Sequence, residues 1–193
     1  MNLTRYNINE IFYSLQGEGF HVGRPACFVR FSGCNLCCDF CDTDHRCKER
    51  LTADEIVGRL AAFPSRFAVL TGGEPGLQAD EALIDRLHAE GFFVAIETNG
   101  TCPLPDGIDW ITLSPKDGGE PCLTDADELK VVYVGQDVER YADSIKASHL
   151  FLQPCTSMVE GHIADNRDEV VRYCLSHPRW RLSLQTHRLL GIK

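Results

Sequence analysis

Gly33-Cys34-Asn35-Leu36-Cys37-Cys38-Asp39-Phe40-Cys41-Asp42-Thr43 sets the reading of the whole chain. Cys34, Cys38 and Cys41 have three and two residues between them, close enough on one loop to grip one metal cluster. Thiolates are the soft, anionic ligands that iron–sulfur clusters take, and a 4Fe–4S cube has four irons. Three local cysteines would leave the fourth iron open to another ligand, which points to chemistry rather than simple electron carriage. The competing use of the same loop is a closed zinc site with Cys37 as the fourth ligand. Cys37 and Cys38 are adjacent and point different ways, however, whereas structural zinc normally pairs two separated Cys-x2-Cys knuckles.

Working outward, the apolar run Ala26 to Phe31 feeds directly into this loop. Ahead of it, Asn7 to Leu15 alternates as a strand does, and Gln16-Gly17-Glu18-Gly19 turns the chain. Behind it, Thr52 and Glu55 form a capping-box pattern before Ile56, Val57, Leu60 and Ala61 at helical spacing. Phe67 to Leu70 reads as a buried strand ending in Thr71-Gly72-Gly73-Glu74-Pro75, followed by a helix from about Asp80 to Glu90 that Gly91 stops. Phe92 to Ile96 ends in Glu97-Thr98-Asn99-Gly100, and Trp110 to Leu113 ends in Ser114-Pro115-Lys116. Leu129 to Val134 precedes a helix with Val138, Tyr141, Ala142 and Ile145 on one side, and His149 to Leu152 ends in Gln153-Pro154. A last helix around Glu169 to His177 leads into Arg181 to Leu184 and the ending Gln185-Thr186-His187.

Strand after strand thus ends in a polar turn bearing glycine or proline, and parallel α/β architectures place their active sites at such carboxyl ends. A closed eight-stranded barrel typically takes about 250 residues. The 193 residues here predict an α/β partial barrel of six or seven mainly parallel strands, one domain over 1–193.

Lys plus Arg number 19 against 28 Asp plus Glu, and the net charge of −9 argues against a nucleic-acid-binding face. No charged-then-apolar signal segment precedes Tyr6, and the cysteines cluster in one loop, so a reducing cytoplasm is the expected setting. The longest apolar runs, such as Phe92 to Ile96, are too short to span a membrane.

Cys-x3-Cys-x2-Cys followed by Gly72-Gly73-Glu74-Pro75 resembles the radical S-adenosylmethionine superfamily, whose members use the open iron to hold that cofactor's amino and carboxylate groups. Within it, Phe12-Tyr13-Ser14-Leu15-Gln16-Gly17-Glu18-Gly19 and Ser183-Leu184-Gln185-Thr186-His187 are similar to the 7-carboxy-7-deazaguanine synthase family. The resemblance runs from the first strand to the last residues and implies a partial-barrel core. It also implies a radical ring contraction. One electron from the cluster would cleave S-adenosylmethionine to methionine and a 5′-deoxyadenosyl radical, which removes hydrogen from C6 of 6-carboxy-5,6,7,8-tetrahydropterin. Rearrangement and loss of ammonia would give 7-carboxy-7-deazaguanine, a precursor of 7-deazapurines including queuosine.

The same resemblance distributes roles over the motifs. Cys34, Cys38 and Cys41 hold the 4Fe–4S cluster and Thr43 ligates Mg²⁺, which needs few protein ligands when substrate and water complete its shell. S-adenosylmethionine meets the backbone of Phe40, Cys41 and Asp42, the Gly73 main chain, Ser114, Pro115, Lys116 and Gln153, while Glu97 and Asn99, at the end of one strand, suit its ribose hydroxyls and carboxylate by their own chemistry. The pterin falls to Leu15, Gln16, Gly17, Glu18, Arg30, Thr71, His187 and the main-chain carboxylate of Lys193. Arg30 suits a carboxylate in a fork, and Glu18 suits the amino and ring N–H groups. No side chain is assigned as a proton-transferring acid or base. Cys27, Cys37, Cys47, Cys102, Cys122, Cys155 and Cys174 receive no role, nor do the other six histidines. An external flavodoxin or ferredoxin and a homodimer are the implied partners. Three rivals share parts of this pattern: an activator of glycyl-radical enzymes, a non-catalytic electron carrier and a zinc-binding interaction module.

Overall fold

Alternation of apolar residues builds the first sheet layer. A computed structural model describes residues 4–41, 43–159 and 162–193 of the chain. Tyr6–Leu15 (β1) and Pro25–Phe31 (β2) pair antiparallel, and the short Glu49–Leu51 (β3) pairs antiparallel with β1. Then follow Ala53–Ala61 (α1), Phe67–Gly72 (β4), Glu81–Ala89 (α2), Phe93–Thr98 (β5), Trp110–Leu113 (β6) and Asp125–Tyr133 (β7). The chain ends through Glu139–Ser144 (α3), Lys146–Pro154 (β8), Thr156–Val159 (β9), His162–Asp165 (β10), Arg167–Ser176 (α4), Arg181–Leu182 (β11) and Thr186–Leu190 (α5).

Among the described residues nine strands make one sheet in the order β11-β8-β7-β6-β5-β4-β2-β1-β3, whose two end strands do not pair with each other. Seven of them, β2 through β11 in that order, run mutually parallel. This is a partial, open TIM-like barrel, as expected, with β1 and β3 as an antiparallel extension. β9 and β10 form a separate antiparallel ribbon.

Local chemistry explains the helices. Thr52 and Glu55 form the reciprocal capping box at the start of α1, which satisfies otherwise orphaned backbone donors. Asp80 caps α2 by accepting from the Leu83 N–H. Ile56 and Leu60 of α1 and Leu83 and Leu87 of α2 are fully buried against Val29, Phe31, Leu70, Val94 and Ile96 on the outer face of the sheet. Each such side chain contributes about 1.5–3 kcal/mol of burial. Leu129, Val131 and Leu152 make a second outer core with Val138, Tyr141, Val170 and Trp180.

The inner face differs. Phe28, Phe67, Val69 and Ala95 form a small apolar cluster there, but the alternate positions of β7 are Glu128 and Lys130, 2% and 3% exposed. Side chains alternate along a strand, so Leu129 and Val131 face the helices while Lys130 faces the barrel interior. Several expected boundaries shift. Gln153 and Pro154 continue β8, in register with Val132 and Tyr133, rather than following it. Only Arg181 and Leu182 of the last expected strand pair, and the Gln185-Thr186-His187 ending leads into α5. β3, whose pairing with β1 is set by a partner more than forty residues away, and the local β9–β10 ribbon were not expected. Among the described residues no helix is long and apolar enough to cross a membrane.

Candidate active site

The cysteine loop leaves the end of β2 and is tied at both ends. Gly33 N–H donates to the His45 carbonyl at 3.2 Å, and the Asn9 side chain and Ser32 hydroxyl both donate to the Arg46 carbonyl. Cys34, Cys38 and Cys41 line one cavity of about 550 Å³ at the carboxyl ends of the strands, within the size range of ligand pockets. Cys37 is exposed and does not line it. None of the cysteines is in a disulfide. Among the described residues no three His, Cys, Asp or Glu side chains converge as a single metal ion requires. A cluster asks for something else, since each iron takes its own thiolate. Three free thiols spread around one cavity wall fit that donor set.

The Gly-Gly-Glu-Pro turn packs onto the root of this loop. Gly73 N–H donates to the Phe31 carbonyl at 3.1 Å and Glu74 N–H to the Gly33 carbonyl at 2.9 Å. A Cβ at Gly73 would lie 1.8 Å from the Gly33 carbonyl oxygen, so no other residue fits without separating the two segments. Glu74 is fully buried and accepts from Gly76 N–H at 2.8 Å, the Thr98 hydroxyl at 2.7 Å and Asn99 N–H at 2.7 Å. The Asn99 amide in turn donates to Asn35 Oδ1 at 3.1 Å. One carboxylate thereby fastens the ends of β4 and β5 together, and Asn99 ties both to the cysteine loop.

A chain of charges crosses the cavity floor. Lys130 Nζ donates to Glu18 Oε2 at 2.6 Å and Glu97 Oε2 at 2.7 Å. The other oxygens of these carboxylates accept from Gln185 at 2.9 Å and Gln16 at 3.0 Å, respectively. Burial opposes the charge on Lys130, but the carboxylates around it outweigh that and raise its pKa. Burial likewise opposes ionisation of Glu18, and the Lys130 charge outweighs it, holding the carboxyl down to about 2. Deeper in, burial pushes Glu128 up to about 7. Lys116 is lowered to about 8 by burial and by Lys130, and its ammonium donates to the Ser114 carbonyl and hydroxyl.

The residues expected to meet the pterin gather on the side made by β1, β2 and the last segment. Arg30 Nε donates to Glu10 at 3.0 Å, and Glu10 also accepts from Lys193 Nζ at 2.6 Å. Burial opposes the Glu10 charge, but these two cations outweigh it and lower its pKa. The Ser14 hydroxyl donates to the Lys193 main-chain oxygen at 2.5 Å. His187 packs against Gly17, where an added Cβ would sit 2.1 Å from Nδ1, and Thr186 donates twice to the Gly17 carbonyl.

Leu15, Gln16, Gly17, Glu18, Arg30, Phe40, Thr43, Thr71, Gly73, Glu97, Asn99, Ser114, Lys116, Gln153, His187 and Lys193 all line the cavity with the three cysteines. Pro115 is buried but does not line it, and Asp42 lies outside the described residues. Sequence reading missed Lys130, Glu10 and Gln185, which also line it. A lysine inside the run Leu129-Lys130-Val131-Val132 was a usable signal, because a charge in a buried strand needs partners. Glu10 and Gln185 carried no such mark.

Comparison with known proteins places this geometry. The Radical SAM superfamily profile matches residues 28–174. A 7-carboxy-7-deazaguanine synthase of Bacteroides thetaiotaomicron is 54% identical over 96% of this chain and 98% of its own length. One from Nitratidesulfovibrio vulgaris is 46% identical over 97% and 99%. The crystal structure of QueE from Escherichia coli superposes with a TM-score of 0.73 at 28% identity, covering 94% of each chain.

Two outcomes follow from the geometry. Gly73→Ala should push the turn off the cysteine loop and lower turnover by about 10²-fold, since a 1 Å misplacement costs that much; unchanged turnover and iron content would count against the packing described. Glu18, with its pKa depressed from the ordinary 4.5 to about 2, adds stability that is present above 4.5 and lost as pH falls toward about 2. Urea midpoints should fall over that window in the wild type and fall less in Glu18→Gln.

Proposed function

Because the chain belongs to the 7-carboxy-7-deazaguanine synthase family of the radical S-adenosylmethionine superfamily, we propose that its cavity converts 6-carboxy-5,6,7,8-tetrahydropterin to 7-carboxy-7-deazaguanine with loss of ammonia. Membership brings a 4Fe–4S cluster, S-adenosylmethionine and Mg²⁺ as cofactors. The observation that carries the assignment is the opening of three free thiols and the Glu18 and Glu97 side chains onto one cavity.

Cys34, Cys38 and Cys41 are the cluster ligands in this reading. When bound, the cluster and S-adenosylmethionine supply the one-electron chemistry that takes a hydrogen atom from the substrate. The protein's part is to bind, orient and exclude water. Main-chain groups around Phe40 and at Gly73 approach the cofactor, and Glu97, Asn99, Ser114, Lys116 and Gln153 offer polar contacts for its ribose and amino-acid ends. Thr43 would hold Mg²⁺, an ion that needs few protein ligands and would help orient the substrate carboxylate. Arg30 holds that carboxylate, and Glu18 accepts from the amino and ring N–H edge. Leu15 to Gly17, Thr71, His187 and Lys193 close the pterin side. Arg30 meets Glu10 through Nε at 3.0 Å, and its terminal nitrogens carry further donors for the pterin carboxylate.

The cytoplasm, a homodimer and an external flavodoxin or ferredoxin complete the reading. An open sheet edge supports the dimer. The acidic balance supports a small-molecule substrate rather than nucleic acid. The whole chain then acts as one radical SAM domain.

Anaerobically reconstituted protein, given S-adenosylmethionine, Mg²⁺, a reductant and the carboxytetrahydropterin, should form 7-carboxy-7-deazaguanine by mass spectrometry without consuming cofactor stoichiometrically. Cofactor cleavage with no deazaguanine would turn the assignment toward an activating enzyme. In visible absorption of oxygen-free material, Cys38→Ala should lose the cluster bands and Cys37→Ala should keep them; the reverse would reassign the ligands.

A further inference from the structure

The buried ammonium of Lys130 has no role in the reading above, yet it touches both carboxylates on which that reading relies. We propose that Lys130 is a positioning residue that keeps Glu18 and Glu97 ionised side by side, so that the pterin and cofactor subsites both present hydrogen-bond acceptors. The inference rests on the proposed function and adds to it a single cation shared by the two subsites.

Geometry supports it first. Lys130 Nζ lies 2.6 Å from Glu18 and 2.7 Å from Glu97, and its side chain is 4% exposed. Glu18 comes from the turn after β1 and Glu97 from β5, so the lysine joins elements that bind different ligands. Gln16 donates to Glu97 and Gln185 donates to Glu18. Both amides thus hold the carboxylates as acceptors.

Two carboxylates this close to a common point, without the cation, share a proton in preference to both ionising. A protonated carboxyl donates where the ligand also donates. The amino and ring N–H groups of a guanine-like edge and the hydroxyls of a ribose are donors, so one subsite would be mismatched. Glu128 on β7 and Lys116 after β6 also act on Lys130, and His187 of α5 acts on Glu18. Glu128 adds negative charge only as pH rises through about 7, and Lys116 and His187 oppose it, so none replaces a cation bonded to both carboxylates.

The test is binding to the cluster-loaded enzyme by anaerobic equilibrium dialysis, with S-adenosylmethionine and the carboxytetrahydropterin as separate probes. In Lys130→Met, affinity at about pH 6.5 should fall roughly tenfold to hundredfold relative to wild type for at least one probe, and recover toward about pH 8.5 as the shared proton leaves. Lys130→Arg, keeping the cation, should show no such recovery. Lys130→Met with Glu97→Gln removes one charge of each sign. It should bind the pterin within about threefold of wild type at both pH values and the cofactor weakly at both. Wild-type affinity in Lys130→Met, or weakening that does not change with pH, overturns the proposal. If that variant does not fold, the double variant decides, and pH-dependent pterin binding there overturns it. Product formation by the wild type is read separately, so failure of the functional assignment is distinguishable from failure of this one.

Discussion

A carboxylate sealed from water holds the active end of this barrel together. Glu74 accepts three hydrogen bonds from the turn that carries it and from the end of β5. Buried acceptors are tolerated only when satisfied in this way. Its partners sit at the exits of neighbouring parallel strands, so satisfying its oxygens also fixes the spacing of the loops. Gly73 then brings the same turn against Gly33, and Asn99 reaches Asn35. The three cysteines are placed by a rigid frame rather than by their own loop.

Across the inside of the barrel, packing gives way to charge as the strands approach the cavity. Near one end Phe28, Phe67, Val69 and Ala95 fill the interior. Toward the mouth the same faces offer Arg30, Thr71, Glu97 and Lys130. Paired buried charges stabilise less than apolar packing would, so their retention here makes sense as preparation of the cavity for polar ligands. Stability comes from the outer cores, where α1 and α2 cover β2, β4 and β5 and α3 and α4 cover β7 and β8. The division lets the inner face serve chemistry.

The last segment completes the cavity from a distance. Thr186 is anchored on Gly17, His187 lies on the glycine that lacks a Cβ to obstruct it, and Lys193 reaches Ser14 and Glu10. Residues from both ends of the chain thereby line one wall. An enzyme that handles a reactive species benefits from such enclosure, because water-excluded sites suppress side reactions.

What the amino-acid order fixed unaided is local. The spacing of Cys34, Cys38 and Cys41, the Thr52–Glu55 cap and the alternation of strands with polar, glycine-bearing exits all lie within a few residues and depend on backbone periods. From these came the parallel α/β reading; the length of 193 residues gave the barrel's incompleteness, and short motifs spread along the chain gave the family resemblance. Only the tertiary structure decided which charges meet. Lys130 and Glu18 are 112 residues apart, Gln185 and Glu18 are 167 apart, and Lys193 and Glu10 are 183 apart. No short-range pattern encodes such pairs, because they exist only when the sheet curls and brings its inner faces together.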